Sequence, residues 1–297
     1  MVVLMSAMIC ALGTSAQEAY AWYSPGSNSL TFCYDNERSI CVGTTYDLND
    51  GAIEPGWITD GNSTYVKYVA IDHKFADVRP TSTYHWFYGM HNLESINGMR
   101  YLNTSEVTRM DDMFHACYAL TSIDLSYLNT TNVTSMSGMF SRCSGMTELD
   151  LSTFNTANVE TMDYMFNGCT NLTTIYVGTE WSTAAVTRST DMFYNCTSLV
   201  GSMGTSDDPN HKDGEYAHID GGPSNPGYFT AKNAALRGDV DGDSSVNISD
   251  VTALIDYLLS GNASGINLSG ADCNQDSSVN ISDVTSLIDY LLSGTWN

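Results

Sequence analysis

The sequence predicts a mixed fold: a β-rich solenoid of about five coils of about 26 residues with β caps, then a small α-helical, EF-hand-like module. Three observations lead to this prediction. An apolar pattern recurs through the middle of the chain, acidic residues near the C-terminus have the spacing of calcium loops, and each loop runs into an amphipathic segment. The predicted domains are a signal peptide, an N-terminal β-hairpin cap, the repeats with their C-terminal cap, and the calcium module, at 1–16, 17–60, 61–232 and 233–297.

The repeat is marked by four cysteines that are 26, 26 and 27 residues apart: Cys117, Cys143, Cys169 and Cys196. Each follows a Met-Phe pair and precedes a segment of the form Leu-x-x-Ile-x-Leu or a variant of it. This pattern is typical of leucine-rich repeats, in which each unit holds a short strand and only stacked units bury their apolar face. We therefore expect a leucine-rich-repeat solenoid with ladders of Met-Phe, Cys, Leu and Asn side chains. The expected Asn ladder, which would satisfy turn backbone groups inside the coil, is Asn103, Asn129 and Asn155.

Some of these residues also have a functional interpretation. The four repeated cysteines could form a metal or redox site, but a small apolar core residue repeated once per coil explains them more simply. Asp124 and Asp150 recur at equivalent outward positions, which repetition explains better than a catalytic carboxylate pair. Cys33 and Cys41 flank a predicted hairpin turn, and they either form a disulfide or are two free thiols.

Aromatic segments before and after the repeats complete a recognisable pattern. They include Tyr20-Ala-Trp-Tyr, Tyr84-His-Trp-Phe and a Gly-Pro-rich stretch that ends at Tyr228-Phe229. Over most of residues 18–232 the chain resembles the BspA-like leucine-rich repeat surface proteins of bacteria. The resemblance implies an extracellular protein that binds other proteins or host surfaces, without specifying a ligand. The pattern departs from the family after Val177, so the last coil is expected to be irregular.

The net charge limits the kinds of partner that can be expected, and the N-terminus indicates the location. The formal charge is −23, which disfavours nucleic acid and anionic membrane surfaces and suits calcium. An apolar stretch ends in small residues at Ala16 and is too short to span a bilayer, which indicates a secretory signal. We therefore expect export, with no nucleic-acid partner and no membrane insertion after the signal is cleaved.

Two twelve-residue loops near the C-terminus place oxygen-bearing side chains at the ligand positions of an EF-hand. Each loop is expected to hold one Ca²⁺, two ions in all, with the serine carbonyl as the ligand at position 7. The expected ligands are Asp239, Asp241, Asp243, Ser245, Asn247 and Asp250 in the first loop, and Asp272, Asn274, Asp276, Ser278, Asn280 and Asp283 in the second. Apolar residues at helical spacing follow each loop, from Val251 to Leu259 and from Val284 to Leu292.

Three features distinguish these loops from a generic EF-hand. Position 6 is Ser244 or Ser277 instead of glycine, position 12 is Asp instead of Glu, and each loop has a single trailing helix. This combination resembles the type I dockerin family over residues 238–296. The resemblance implies calcium-dependent docking into a cohesin domain of a scaffold protein. The residues that it implies for partner contact are Ile248, Ser249, Ile255 and Asp256, and Ile281, Ser282, Ile288 and Asp289.

The sequence thus favours a non-catalytic binding protein, secreted or on a bacterial cell surface. Its repeats would recognise a protein or surface ligand, and its dockerin would attach it to a cohesin-like partner, in either of two orientations because the halves are nearly identical. No catalytic residues are expected, since the six histidines are scattered without recognisable context. The alternative is a carbohydrate-binding or polysaccharide-degradation accessory component of a cellulosome-like complex. Dockerins usually accompany carbohydrate-degrading enzymes, and the aromatic residues that could bind sugar are Tyr84, Trp86, Tyr88 and Trp181.

Overall fold

The computed structural model describes residues 16–232, 237–242, 245–263, 266–274, 276 and 278–296. These residues form two compact units that divide between Thr230 and Ala231. The predicted signal peptide lies almost wholly outside the described residues. Among the residues described, no helix combines the length and the apolar composition that crossing a bilayer requires.

The first unit contains eight short strands among its described residues, the last of which ends one residue past the division, with one helical turn and five 3-10 helices. The strands are β1 (Glu18–Ser24), β2 (Ser29–Asp35), β3 (Thr44–Asp47), β4 (Tyr68–Ile71), β5 (Ser95–Asn97), β6 (Glu148–Leu151), β7 (Thr174–Val177) and β8 (Phe229–Ala231). The helical turn is α1 (Gly56–Thr59), and the 3-10 helices are Arg38–Ile40, Asn62–Tyr65, His73–Asp77, Met99–Tyr101 and Gly214–Tyr216.

The N-terminal sheet has the strand order β3-β1-β2-β4-β5. Strands β1 and β2 form an antiparallel hairpin, and β4 and β5 then add in parallel. Because β1 lies between β2 and β3, the hairpin predicted between Cys33 and Cys41 does not form. Both cysteines are free thiols, and the Tyr20 hydroxyl lies 3.5 Å from the Cys41 Sγ.

The predicted leucine-rich-repeat solenoid is wrong. The described residues contain two small sheets, of five and three strands, instead of one sheet that runs through every coil. The second sheet has the order β6-β7-β8. The two sheets are separate because Ile123–Leu125, which occupies the predicted strand position between β5 and β6, forms no strand.

Tight turns occupy much of each repeat, and they explain why strands are short. Each unit places two residues in the left-handed region, and many of them are not glycine. Examples are His85 (φ 58°), Asp112 (φ 52°) and Tyr164 (φ 60°). A left-handed residue reverses the chain and interrupts an extended segment. Neighbouring units are therefore joined mainly by isolated parallel bridges, by backbone hydrogen bonds such as that from the Phe114 N–H to the Met139 carbonyl at 2.9 Å, and by side-chain contacts.

The repeated Phe and Cys side chains form the core of the first unit. The Phe114 and Phe140 rings stack with centroids 5.5 Å apart, and the same contact recurs between other consecutive units. Each repeated cysteine is a buried free thiol that donates to a Phe carbonyl of the preceding unit, as Cys143 does to Phe114 at 3.0 Å. Burial raises the pKa of the Cys169 thiol to about 12. These contacts are those of core residues, with the thiols held protonated.

The repeated Asn residues do not form the expected ladder inside the coil, and buried Thr hydroxyl groups connect neighbouring units instead. Asn129 is exposed, and its side chain accepts the N–H of Thr131, two residues on, at 3.0 Å. The contact between units comes from the buried Thr104, whose hydroxyl accepts the Asn129 N–H at 2.8 Å and donates to the Asn129 carbonyl at 2.9 Å. Thr130 repeats both bonds one unit further on.

The second unit contains three helices among its described residues: α2 (Ile248–Ser260), α3 (Leu268–Ala271) and α4 (Ile281–Ser293). Its small core buries one face of α2 and one face of α4. The core side chains are Val240, Val251, Leu254, Ala271, Cys273, Val284 and Leu287. Val246 and Val279, at position 8 of the two loops, are half-buried and pack against this core.

Candidate calcium and docking site

Each long helix of the second unit begins at a reciprocal pair of side chains. The Asn247 side chain accepts the N–H of Ser249 at 2.8 Å, and the Asn247 N–H donates to Asp250 Oδ2 at 2.8 Å. Asn280 and Asp283 form the same box at the start of α4, again at 2.8 Å. Both boxes satisfy N–H groups that a helix N-terminus leaves without partners.

The first loop brings three carboxylates together. Asp239, Asp241 and Asp250 each offer an oxygen within 4.8 Å of the others. Asp250 is fully buried, and its Oδ1 accepts the N–H of Val240 at 2.7 Å and of Asp241 at 3.1 Å. Asp243, another expected ligand, lies outside the described residues, whereas Ser245 is described and exposed.

The second loop has the same anchor with a different interior. Asp283 is fully buried, and its Oδ1 accepts the N–H of Asn274 at 3.0 Å. The Asp276 N–H donates to Asp272 Oδ1 at 3.1 Å, and the Ser278 N–H donates to Asp276 Oδ1 at 2.9 Å. The Asn274 amide donates to Asp276 Oδ2 at 2.9 Å. These hydrogen bonds connect side chains of the loop to its own backbone and to one another, and they stabilise its turns.

The donor set fits calcium, a hard cation that takes oxygen ligands in a flexible geometry. Asp239 is 1% exposed and Asp250 is fully buried, so the first loop concentrates negative charge away from water. Buried carboxylates that converge in this way are costly unless a cation or other donors compensate them. Of the other expected ligands of this loop, Asn247 uses its side-chain oxygen to accept the Ser249 N–H at the start of α2.

Cys273 is a core residue and not a further ligand. It occupies the position in the second loop that Val240 occupies in the first, and both side chains are fully buried in the same cluster. Burial raises the pKa of the Cys273 thiol to about 12. A thiol that stays protonated is a poor ligand for a hard cation.

All eight residues expected to contact the partner lie on the surface of α2 and α4. Ile248 and Ile281 are each 70% exposed. The structure also exposes Leu259 and Leu292, each at 82%, although their spacing suggested that they belong to the buried face. Each helix therefore carries a second apolar stripe that its own core does not use.

The aromatic residues proposed for sugar binding divide between core and surface. Trp86 is fully buried and donates to the Asn49 side chain at 2.7 Å, which excludes it from a surface site. Trp181 is half-buried and donates to the Ala217 carbonyl at 3.0 Å. Tyr84 and Tyr88 remain at the surface, half-buried.

The second unit thus has two acidic loops, each of which runs into one helix. Residues 237–292 match the family model of the dockerin type I domain. Residues 81–206 match the model described as Mycoplasma protein of unknown function, DUF285, a family related to the BspA-like proteins. Comparison with curated proteins and with solved structures gave no match.

The match over residues 237–292 supports the dockerin part of the predicted resemblance. Dockerins of type I typically bind calcium, pair with a cohesin-type domain, and occur in extracellular or cell-surface proteins. The leucine-rich-repeat part of the resemblance finds no support in the match to residues 81–206.

Two features of the site were not predicted, and the sequence carries a signal for only one of them. Leu259 and Leu292 add to a core-facing stripe only if the apolar arc is drawn too wide, and an arc centred on Leu254 leaves them outside. Trp296 stacks on Tyr290 with centroids 4.2 Å apart, and the Arg237 guanidinium lies 4.2 Å from the Trp296 ring. These contacts join the two ends of the module, which no local pattern indicates.

Proposed function

We propose that this chain is an exported, non-catalytic binding protein whose dockerin module attaches it to a cohesin-type domain of a scaffold protein. Its first unit then presents a recognition surface to a protein or surface ligand. Secretion rests on the predicted signal at 1–16 and on the extracellular setting typical of dockerins, and we assign the chain to the bacterial cell surface or its surroundings.

The observation that carries the proposal is the pair of matching apolar stripes on α2 and α4. The first stripe is Ile248, Ile255 and Leu259, with exposures of 70%, 38% and 82%. The second is Ile281, Ile288 and Leu292, with exposures of 70%, 39% and 82%. Exposed apolar side chains grouped on one helix face stabilise a protein interface when a partner covers them. Because the stripes match, the partner can use either one, which supports two docking orientations.

Calcium is proposed to hold both stripes in place, with one ion in each loop. Asp250 and Asp283 would then have two roles, as the last ligand of a loop and as the cap of the helix that carries a stripe. The remaining ligands would be those of the sequence prediction, with Asp243 and the carbonyl oxygens of Ser245 and Ser278 included. An ion bound there offsets carboxylate repulsion at the start of each helix.

The proposal that the chain is not an enzyme rests on the surroundings of its histidines. His85 contacts Glu54 and Asp112, and His211 contacts Glu215. Within the described ranges, no hydrogen bond joins a histidine ring to a Ser, Thr or Cys side chain, as a nucleophile activated by histidine would require.

Calcium-dependent capture tests the docking function. The full chain is immobilised and exposed to proteins secreted by the native organism and to purified cohesin-type domains, with calcium or with EGTA. Capture of a cohesin-bearing protein in calcium alone is the expected result. Absence of capture from both sources in calcium would reject the proposal.

Variants test the stripes. Ile248→Asp and Ile281→Asp each place a charge in one stripe. We expect either single variant to keep binding the partner and the double variant to lose binding. Ile40→Asp is the matched control, because Ile40 is similarly exposed, at 74%, in the other unit. Loss of binding in one single variant would contradict two orientations, and binding by the double variant would contradict docking through the stripes.

A further inference from the structure

A polar groove crosses the repeats on the face where isolated parallel bridges join them. The bridges run from Ser82 to Arg109, Ser135, Thr161 and Arg188, one residue from each of five successive units. The groove has a volume of about 400 Å³. Adjacent hydrogen-bonded rows are about 4.8 Å apart, so these four steps extend over roughly 19 Å.

The groove walls carry hydroxyl groups and charges of both signs. Arg109 donates from Nε to Asp111 Oδ2 at 3.0 Å, and the Ser135 and Thr161 hydroxyl oxygens are 2.6 Å apart. Arg188 pairs with the buried Asp163 at 2.6 Å. The two Arg side chains are 43% and 69% exposed. A guanidinium has five N–H donors, so each retains donors beyond its ion pair.

An aromatic ring stands at one end of the groove in a fixed orientation. Tyr84 lines the groove and stacks on His85, with centroids 3.8 Å apart and planes 11° apart. His85 stacks in turn on Tyr88 at 4.3 Å. Its Nδ1 lies 2.8 Å from Glu54 Oε2, which holds the ring from the side. These contacts fix the Tyr84 ring before a ligand binds, which lowers the entropic cost of binding.

The composition of the groove selects among ligand classes. Three carboxylates line it, Asp111, Asp112 and Glu160, against the two guanidinium groups of Arg109 and Arg188. This balance does not favour a polyanion. Protein partners use buried apolar anchors, whereas most side chains that line this groove are polar. A neutral ligand rich in hydroxyl groups can donate to the exposed Glu160 carboxylate, accept from the guanidinium groups and stack on Tyr84.

We propose that this groove binds a neutral, extended polysaccharide, with a pyranose ring stacked on Tyr84 and the following sugars along the row from Arg109 to Arg188. The row spacing of about 4.8 Å is close to the length of one sugar in an extended chain, so successive sugars meet successive repeat units. The inference rests on the proposed function in one respect, since it names the ligand class of the recognition surface.

Calorimetric titration of the full chain with neutral β-linked gluco-, xylo- and manno-oligosaccharides of increasing length tests this proposal. We expect affinity to rise with chain length up to about four sugars and then level off, as a groove of four row spacings requires. The titrations are run in EGTA, because the groove contains no part of the calcium loops. If glycans bind without calcium and cohesin capture fails, the docking proposal is rejected and the groove assignment stands.

Paired variants separate the groove from the rest of the surface. We expect Glu160→Ala and Tyr84→Ala each to weaken glycan binding about tenfold, equivalent to roughly 1.4 kcal/mol, since each removes one direct contact. The controls are Glu148→Ala and Tyr127→Ala, exposed residues of the same types that do not line the groove. Thermal melting of each variant verifies folding, and Glu160→Ala serves where Tyr84→Ala proves unstable.

Three outcomes would overturn the proposal. The first is that none of the oligosaccharides binds. The second is that the groove variants and the control variants lose affinity equally. The third is that Glu160 and Tyr84 are needed to capture a protein ligand but not to bind a glycan.

Discussion

The Asn247 N–H donates to Asp250 Oδ2 at 2.8 Å, and Asn280 and Asp283 repeat this bond at the same distance 33 residues later. One aspartate in each half thus completes the capping box of a helix, opposite the N-cap residue Asn247 or Asn280, and lies where the last ligand of a calcium loop is expected. Helix formation and metal binding share this residue, so the two processes are expected to be coupled.

Removal of calcium should unfold the second unit and spare the first. The carboxylates of Asp239, Asp241 and Asp250 converge within 4.8 Å and repel one another without a cation. We expect EGTA to abolish most of the helical signal at 222 nm and to remove one of two thermal transitions in calorimetry. A helical signal unchanged by EGTA would refute the coupling.

Loss of one cap should remove one ion. Asp250→Ala and Asp283→Ala are each expected to reduce the stoichiometry of calcium binding from two to one in titration calorimetry. Each should also lower stability by about 1–3 kcal/mol, because backbone N–H groups lose their buried carboxylate acceptor. Asp256→Ala, an exposed carboxylate on α2, is the control and should leave two ions bound. Two ions in either cap variant would contradict the assigned role.

Gly238 is expected to tolerate a side chain less well than Gly261, another glycine of the second unit with positive φ. Its φ is +93°, and a Cβ there would lie 2.8 Å from both Val246 and Trp296 side-chain atoms. Gly261 has φ +69° and open space around it. We expect Gly261→Ala to cost about 1 kcal/mol and Gly238→Ala about 3 kcal/mol, since overpacking adds to backbone strain. Equal losses in calcium-saturated thermal denaturation would contradict the packing described at Gly238.

Asp220 should make the first unit sensitive to acid. Burial would raise its pKa, but hydrogen bonds to the carboxylate from the N–H groups of Thr205, Gly222 and Met203 and from the Thr205 hydroxyl lower the pKa to about 2. A depressed carboxyl pKa contributes stability above the unfolded value of about 3.9, and this stability is lost as the pH falls toward 2. We expect the melting temperature of the first unit to decline in that window.

Asp220→Asn should lower stability by about 3 kcal/mol near pH 7 and flatten the acid decline, because an amide replaces an acceptor of several backbone N–H groups. Asp77→Asn, at an exposed aspartate, is the control and should change neither. A stable Asp220→Asn variant with the same acid profile would reject this role.

His85 should give the first unit a second pH dependence, of opposite sign. Burial opposes its charge, but hydrogen bonds with Asp112 and Glu54 raise its pKa overall. A raised histidine pKa contributes stability below the unfolded value of about 6.5, and this stability is lost as the pH rises through the folded pKa. Nuclear magnetic resonance titration of the ring should yield a pKa above 6.5. His85→Gln should flatten the stability profile above that pH, whereas the exposed His73→Gln should not.

The helices of the second unit can be predicted from the sequence because their signals are local. An Asn cap followed three residues later by Asp, and apolar residues at helical spacing, define α2 and α4 within segments of 13 residues. Leu259 was assigned to the buried face because it is as apolar as Leu254, although an apolar arc centred on Leu254 leaves it outside.

In the first unit, the sequence alone established the period of the repeat and the buried Phe and Cys columns, since these follow from the spacing of apolar residues along one chain. Only the tertiary structure decided which segments pair as strands. Strand β3 pairs with β1, and Ile123–Leu125 forms no strand although its pattern matches that of β6. Strand pairing depends on hydrogen bonds between distant residues and on left-handed turns at residues such as Asp112, and neither leaves a local mark in the sequence.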